Sequence, residues 1–100
     1  MARIIWSPKS LCQLDEIAEY IAVDSPTQAK RVVQRVLGTT ERLATFPESG
    51  AFAPEFPDDN VREILAFRFR ILYRFVKADD AVRIVGIVHG ARLLSENLIE

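Results

Sequence analysis

Residues 67–75 alternate between two kinds of side chain almost without a break. Aromatic or apolar residues hold the odd positions and arginine holds most of the even ones, in the order Phe-Arg-Phe-Arg-Ile-Leu-Tyr-Arg-Phe. Successive side chains of a β-strand point to opposite faces, so the pattern predicts a strand that buries an aromatic stripe on one side. The other side would display Arg68, Arg70 and Arg74, a row of guanidinium groups suited to binding an acidic partner.

Apolar and polar residues also alternate with a period of two residues in the segments on either side of this strand. Residues 62–65 and 82–88 are predicted to be strands, and residues 3–6 a short first strand. The segment 82–88 is apolar at most positions, which is typical of a central strand covered on both faces.

A period near 3.6 residues predicts two helices, one over residues 8–22 and one over 26–46. Each begins with a serine followed by proline, so Ser7 and Ser25 are predicted N-caps. Because the connection between the helices is only two or three residues long, they must fold back as an antiparallel hairpin. Glycine in a helix lowers stability by about 1 kcal/mol relative to alanine. We therefore expect Gly38 to be present because the second helix crosses the first one closely there.

The resulting order is β-α-α-β-β-β, an α+β fold in a single domain over residues 1–100. The helical hairpin is predicted to pack on one face of a mainly antiparallel four-stranded sheet. The aromatic stripe is expected beneath the helices, and the face with Arg68 and Arg70 is expected to be open. Residues 47–60 contain three prolines and a glycine and are predicted to form an ordered loop.

Composition is that of an ordinary soluble globular domain, with 49% apolar and 27% charged residues. No segment approaches the roughly 18–20 apolar residues of a membrane span, and the short apolar run before Pro8 is not a signal peptide. We therefore expect a cytoplasmic protein. Cys12 is the single cysteine, so an internal disulfide and a cysteine metal site are excluded.

The net charge of −1 conceals two halves of opposite sign. Residues 60–92 carry seven cations and three acids, or +4, and the rest of the chain carries six cations and eleven acids, or −5. A basic segment on a nearly neutral chain indicates a localised anionic partner rather than general coating of nucleic acid.

Several residues are candidates for binding or chemistry, each with a structural alternative. Arg68, Arg70 and Arg74 match the geometry of phosphate or carboxylate, or they simply solvate a sheet face. His89 is the single histidine and either transfers protons or bonds to backbone at a strand end. Arg92 either joins Arg70 in a two-arginine site or is an exposed residue after the last strand.

The remaining polar residues indicate no catalytic centre. Tyr20 and Tyr73 are expected to pack in the core, and the acidic pairs at 58–59 and 79–80 are expected to be turn residues. The sequence contains no metal-binding, nucleotide-binding or nucleophile motif, so we expect neither a metal nor a cofactor. The residues alone favour a basic sheet face that binds over an enzyme.

Nearly the whole chain resembles the RelE/ParE family, the toxins of type II toxin–antitoxin pairs. The resemblance implies the β-α-α-β-β-β fold reached above. Its motifs are Ser7-Pro8, the helical segment 14–21, Phe46-Pro47-Glu48-Ser49-Gly50, Val61-Arg62-Glu63, the strand 69–74 and Ile87-Val88-His89-Gly90-Ala91-Arg92.

The family has two branches with different targets. The RelE-like branch cleaves messenger RNA on the ribosome without a metal, using basic residues and a proton-transfer group. Arg70 and Arg92 match its arginine positions, but residues 93–98 contain no tyrosine or histidine and the loop 47–60 contains no basic residue. The chain is therefore more similar to the ParE branch, which lacks the nuclease residues and is associated with poisoning DNA gyrase.

The resemblance implies a toxin without catalytic residues that binds DNA gyrase and a ParD-like antitoxin in a hetero-oligomer. The acidic, amphipathic C-terminal segment of such an antitoxin would become ordered on the toxin. No sequence-specific nucleic-acid binding by the toxin alone is implied. The expected partner-binding residues are Arg68, Arg70, Arg74, His89 and Arg92.

Two alternatives remain open at this point. One is a ribosome-dependent endoribonuclease of the RelE type, in which His89 transfers protons beside Arg70 or Arg92. The other is a family member without toxic activity that only forms a complex.

Overall fold

The computed structural model describes residues 1–90 and 96–100, and it has the predicted α+β architecture. Two 3₁₀-helical turns, at Lys77–Asp79 and Glu96–Leu98, accompany the longer elements. Those elements are β1 (Arg3–Trp6), α1 (Pro8–Asp24), α2 (Pro26–Arg42), β2 (Ala51–Phe52), β3 (Arg62–Ala66), β4 (Phe69–Val76) and β5 (Ala81–His89).

The strands form one sheet in the order β1-β5-β4-β3-β2. β1 runs parallel to β5, and every other pair is antiparallel. The sheet has five strands instead of the predicted four because the two residues of β2, inside the loop 47–60, pair with Arg62 and Glu63. The strand predicted over residues 67–75 begins two residues later than predicted, since Phe67 and Arg68 form the turn between β3 and β4.

Both helices begin as the sequence predicts. The Ser7 hydroxyl accepts a hydrogen bond from the Ser10 N–H at 3.1 Å, and the Ser25 hydroxyl accepts one from the Gln28 N–H at 3.1 Å. A proline opens each first turn, where its missing N–H has no intrahelical partner to lose. None of the helices in the described ranges has the length and apolar character that crossing a membrane requires.

The aromatic stripe of β4 lies beneath the helices, as predicted. Ile71 and Tyr73 are fully buried and share one core cluster with Leu14 of α1 and Val36 of α2. Phe69 and Phe75 pack against the same cluster. The period of two therefore identified the core face of this strand correctly.

The opposite face of the sheet is covered as well, so the prediction of an open arginine face is wrong. Leu72 is fully buried there, within a second core cluster that β5 shares. The cover comes from the loop between β2 and β3 and from the end of the chain rather than from a helix. Its buried residues are Ala53, Phe56, Val61 and Ile99.

Gly38 does not mark a helix crossing. It is exposed on α2, and a β-carbon built on it would have no neighbouring atom within 4 Å. We therefore expect Gly38→Ala to raise the free energy of unfolding by about 0.5–1 kcal/mol, because alanine loses less backbone entropy in a helix. The urea midpoint of unfolding measures the change.

Gly50→Ala is the matched control, because a β-carbon at Gly50 would lie 2.6 Å from both the Glu63 carbonyl oxygen and the Tyr73 hydroxyl. This variant is expected to lower stability. A loss of stability in Gly38→Ala would contradict the open environment of Gly38.

Candidate functional site

Arg70 lies on β4 and points away from the helices, where it is only 9% exposed. Two carboxylates hold its guanidinium group. Nη1 and Nη2 donate to the two oxygens of Glu55 at 2.6 and 2.9 Å, and Nε donates to Oε2 of Glu63 at 2.6 Å. Nη2 also forms an ion pair with Glu63, so all three nitrogens contact a carboxylate.

The charges in this cluster stabilise one another. The hydrogen bond from Arg70 lowers the pKa of Glu55 below its ordinary value, and the hydrogen bond to Glu55 raises the pKa of Arg70. Glu55 comes from the loop between β2 and β3, whereas Glu63 belongs to β3. Arg70 therefore fastens that loop to the sheet, and an external phosphate would have to displace Glu55.

The lowered pKa of Glu55 predicts a loss of stability in acid. Because the unfolded carboxyl group binds a proton more readily than the folded one, the stabilisation is present above the ordinary pKa and is lost as pH falls through the lowered pKa. Glu55→Gln should be less stable than wild type near pH 7, and this difference in the free energy of unfolding should narrow as pH falls through the lowered pKa of Glu55.

Urea unfolding at a series of pH values tests this prediction. Glu41→Gln is the control, since Glu41 is exposed on α2 and forms no ion pair within the described ranges. A difference in the free energy of unfolding between Glu55→Gln and wild type that stays constant with pH would contradict the prediction.

Arg68 and Arg74 lie in different surroundings from Arg70. Arg68 is exposed in the turn before β4, where its carbonyl oxygen accepts a hydrogen bond from the Gly90 N–H at 2.6 Å. The Arg74 side chain is 25% exposed, donates to the Asp59 carbonyl oxygen at 3.0 Å and pairs with Glu100. Arg74 thus stabilises the cover of the second core, and Arg68 presents its side chain to solvent.

His89 ends β5 on the helix side of the sheet. It lies opposite Phe69 in the strand register, and the two rings meet edge to face with centroids 5.9 Å apart. Arg70 lies opposite Val88, which belongs to the core cluster on the other face. The sheet therefore separates the His89 ring from the Arg70 guanidinium group. Arg92 lies outside the described residues, so the predicted pairing of Arg70 with Arg92 stays a prediction.

Glu55 and Glu63 were missed as site residues, although the sequence contains a signal for them. The loop 47–60 carries four acidic residues and no basic one, which suits it to lie against the arginine side of β4. Among the side chains of residues 1–90 and 97–100, no three His, Cys, Asp or Glu are grouped so that they could hold a metal ion.

Comparison with known proteins places this chain in a family. The sequence profile described as "ParE toxin of type II toxin-antitoxin system, parDE" matches residues 4–94. The chain belongs to the ParE toxin family. It is thus a toxin of a type II toxin–antitoxin system, and the family resemblance noted in its motifs is confirmed.

Two further similarities are to a curated toxin and to a solved toxin–antitoxin structure. The chain is 34% identical to "Toxin RelE2" of Caulobacter vibrioides over 93 residues, which cover 93% of this chain and all of that protein. It is also similar to a solved structure titled "Chromosomal ParDE TA system from P. aeruginosa", with a TM-score of 0.72 and 25% identity. That match covers 89% of this chain and 96% of the other.

Proposed function

We propose that this ParE-family toxin inhibits DNA gyrase, and thereby replication, through protein contacts, and that a cognate antitoxin neutralises it in the cytoplasm. The observation that carries the proposal is the engagement of Arg70 by Glu55 and Glu63. A nuclease of the RelE type needs a basic residue that is free to hold the scissile phosphate. Here an approaching phosphate would meet two carboxylates of its own sign.

The position of His89 supports the same proposal. A proton-transfer group acts within about 3 Å of the reacting atom, directly or through one water. The His89 ring packs against Phe69 on the helix side of the sheet, and Arg70 points to the other side. His89 and Arg70 are therefore poorly placed to act together on one phosphodiester.

The antitoxin is proposed from the family and from the charge of this chain. The similar Pseudomonas structure is titled as a ParDE system, which names a pair of proteins. A short acidic partner would complement the exposed arginines of this toxin, and it would become ordered as it binds.

A ribosome-dependent endoribonuclease is the second candidate, and one groove favours it. Arg68, His89 and Tyr20 line a groove of about 500 Å³ between α1 and the end of β5. Arginine, histidine and tyrosine are residue types that hold phosphate and transfer protons, and the Caulobacter relative carries the name RelE2.

Two assays with the purified toxin separate these candidates. The toxin is added to a gyrase supercoiling reaction and, separately, to a coupled translation system. Inhibited supercoiling with intact messenger RNA is the result expected from the proposal. Cuts at codon positions in ribosome-bound messenger RNA would overturn it, and inactivity in both assays would favour a complex-forming protein without toxic activity.

A His89→Ala variant sharpens the comparison. Gyrase inhibition is expected to persist, because no proton transfer is required of this side chain. A nuclease that used His89 would lose roughly 10²–10⁴-fold in rate. Toxicity in cells and supercoiling inhibition are the readouts, with circular dichroism to verify folding. Loss of both toxicity and messenger RNA cleavage in a folded His89→Ala protein would count against gyrase as the target.

A further inference from the structure

The two helices of the hairpin carry opposite charge. α1 (Pro8–Asp24) contains four acids and one cation, a net −3, whereas α2 (Pro26–Arg42) contains four cations and one acid, a net +3. Within the basic segment of residues 60–92, Arg70 is paired with Glu55 and Glu63, and Arg74 is paired with Glu100. A large share of the positive charge that is left unpaired in the described residues therefore lies on α2.

Three arginines of α2 form a row on one flank of the helix. Arg31, Arg35 and Arg42 follow each other at spacings of four and seven residues, which places them on one helical face. All three are exposed, and none forms an ion pair with another described residue. Gly38 lies on the same helical face between Arg35 and Arg42, and because it has no side chain the surface there is open. We call these three residues the arginine row.

Arg35, the central residue of the arginine row, lies beside the tip of the β3–β4 hairpin. The guanidinium group of Arg35 lies over the ring of Phe67, 5.0 Å from its centroid. Phe67 is 51% exposed and has a φ of 54°. A bulky residue in this left-handed region is strained, and glycine or asparagine is usual at such a hairpin position. An exposed aromatic residue kept in a strained conformation is a signal of function.

The edge of β3 beside Phe67 is free to pair. β2 pairs only with Arg62 and Glu63, and no described strand pairs with Leu65 on that side. The Val61 carbonyl oxygen accepts from the Ala53 N–H on the β2 side, so the alternation of an antiparallel strand directs the N–H and C=O of Leu65 outward as well. The Leu65 side chain is 65% exposed. An edge of this kind is a template for another strand.

We propose that the arginine row, Phe67 and the outer edge of β3 at Leu65 form a docking surface for an extended acidic segment of a partner protein. The segment pairs its backbone with Leu65, places carboxylates on the arginine row and lays an apolar side chain on Phe67. This surface lies on the flank of the sheet and borders two of the residues predicted to bind partners, since Leu65 lies opposite Arg70 in the strand register and Phe67 adjoins Arg68. The proposal requires no action on gyrase. We assign the segment to the antitoxin, and this assignment of the partner rests on the proposed function.

A protein segment fits this surface better than a nucleic acid does. A peptide backbone pairs with Leu65, whereas a nucleic acid presents no matching strand. Leu65 and Phe67 add exposed apolar surface, while nucleic-acid interfaces are more polar. The neighbouring helix α1 carries a net charge of −3, which repels a long polyanion and tolerates a short acidic segment.

Titration of the isotopically labelled toxin with a short synthetic peptide that alternates glutamate with valine tests the proposal by NMR. Backbone shifts are expected at Arg35, Leu65 and Phe67. Arg83 and Lys77, exposed cations on other parts of the surface, should be unaffected. An Arg31→Glu/Arg35→Glu variant is expected to raise the dissociation constant of the peptide about tenfold or more. The control Arg83→Glu/Lys77→Glu, with the same change in charge, should bind like wild type.

A Phe67→Gly variant separates docking from folding. Glycine removes the strain, so the melting temperature should be unchanged or higher, while peptide binding weakens. Shifts confined to other surfaces, no shifts, or equal weakening in both charge variants would overturn the proposal. Shifts at the same residues with a DNA duplex but not with the peptide would do so too. Gyrase inhibition is measured separately, so failure of either proposal leaves the other one testable.

Discussion

Replacement of Tyr73 by alanine is expected to lower the free energy of unfolding by about 3–5 kcal/mol, the range for large aromatic residues removed from a core. Tyr73 is fully buried in the helix-facing cluster. Its hydroxyl also accepts a hydrogen bond from the Gly50 N–H at 2.9 Å, and burial raises the pKa of the phenol. The substitution leaves both a cavity and an unpaired buried N–H group.

Two variants separate these contributions, with urea unfolding as the measurement. Tyr73→Phe keeps the ring and loses only the hydroxyl, so it should cost about 1–3 kcal/mol through the unpaired Gly50 N–H. Tyr20→Ala is the surface control, because Tyr20 is 81% exposed, contrary to the prediction that it packs in the core. If Tyr73→Ala were as mild as Tyr20→Ala, the assignment of the core face would be refuted.

Arg70→Ala is expected to destabilise the fold by about 2–3 kcal/mol. Removing one partner of a fully buried ion pair costs about 3–5 kcal/mol. The expected loss is smaller here because the Glu55 and Glu63 side chains keep 28% and 24% exposure to solvent. The variant leaves two neighbouring carboxylates without their shared cation, and the loop between β2 and β3 loses its attachment to β4.

The interaction is measured by comparing Arg70→Ala with Arg70→Ala/Glu55→Gln/Glu63→Gln. Neutralising both carboxylates should restore part of the lost stability, because the repulsion between them disappears. Arg83→Ala on the neighbouring strand is the control, since an exposed arginine usually contributes less than about 0.5 kcal/mol. Equal losses in the free energy of unfolding for Arg70→Ala and Arg83→Ala would mean that Arg70 does not attach the loop between β2 and β3 to the sheet.

The elements with a clear period were predictable from sequence. The alternation at 67–75 identified the buried face of β4, and the Ser-Pro pairs located the starts of both helices. The turn at Phe67-Arg68 was missed because neither residue is one of the usual turn formers. The alternation of aromatic residues and arginine therefore runs through the hairpin tip without a turn signal.

The surroundings of Arg70 were not predictable by the same reasoning. Alternation tells which residues share a face of a strand, but it does not tell what packs on that face. Here a loop without regular spacing supplies the cover through Ala53 and Phe56, and it brings Glu55 to Arg70. A long-range pairing of this kind depends on the path of the loop. The arginine row on α2, by contrast, is readable from its spacing of four and seven residues.

The most direct test of the proposed function is the DNA that gyrase leaves broken in the presence of the toxin. Plasmid, gyrase, ATP and purified toxin are incubated, the protein is denatured and digested, and linear plasmid is measured on a gel. The expected result is linear plasmid that increases with toxin concentration and disappears when gyrase is omitted. Intact plasmid and unimpaired supercoiling, together with cut messenger RNA in the translation assay, would contradict the proposal that this ParE-family toxin acts on gyrase.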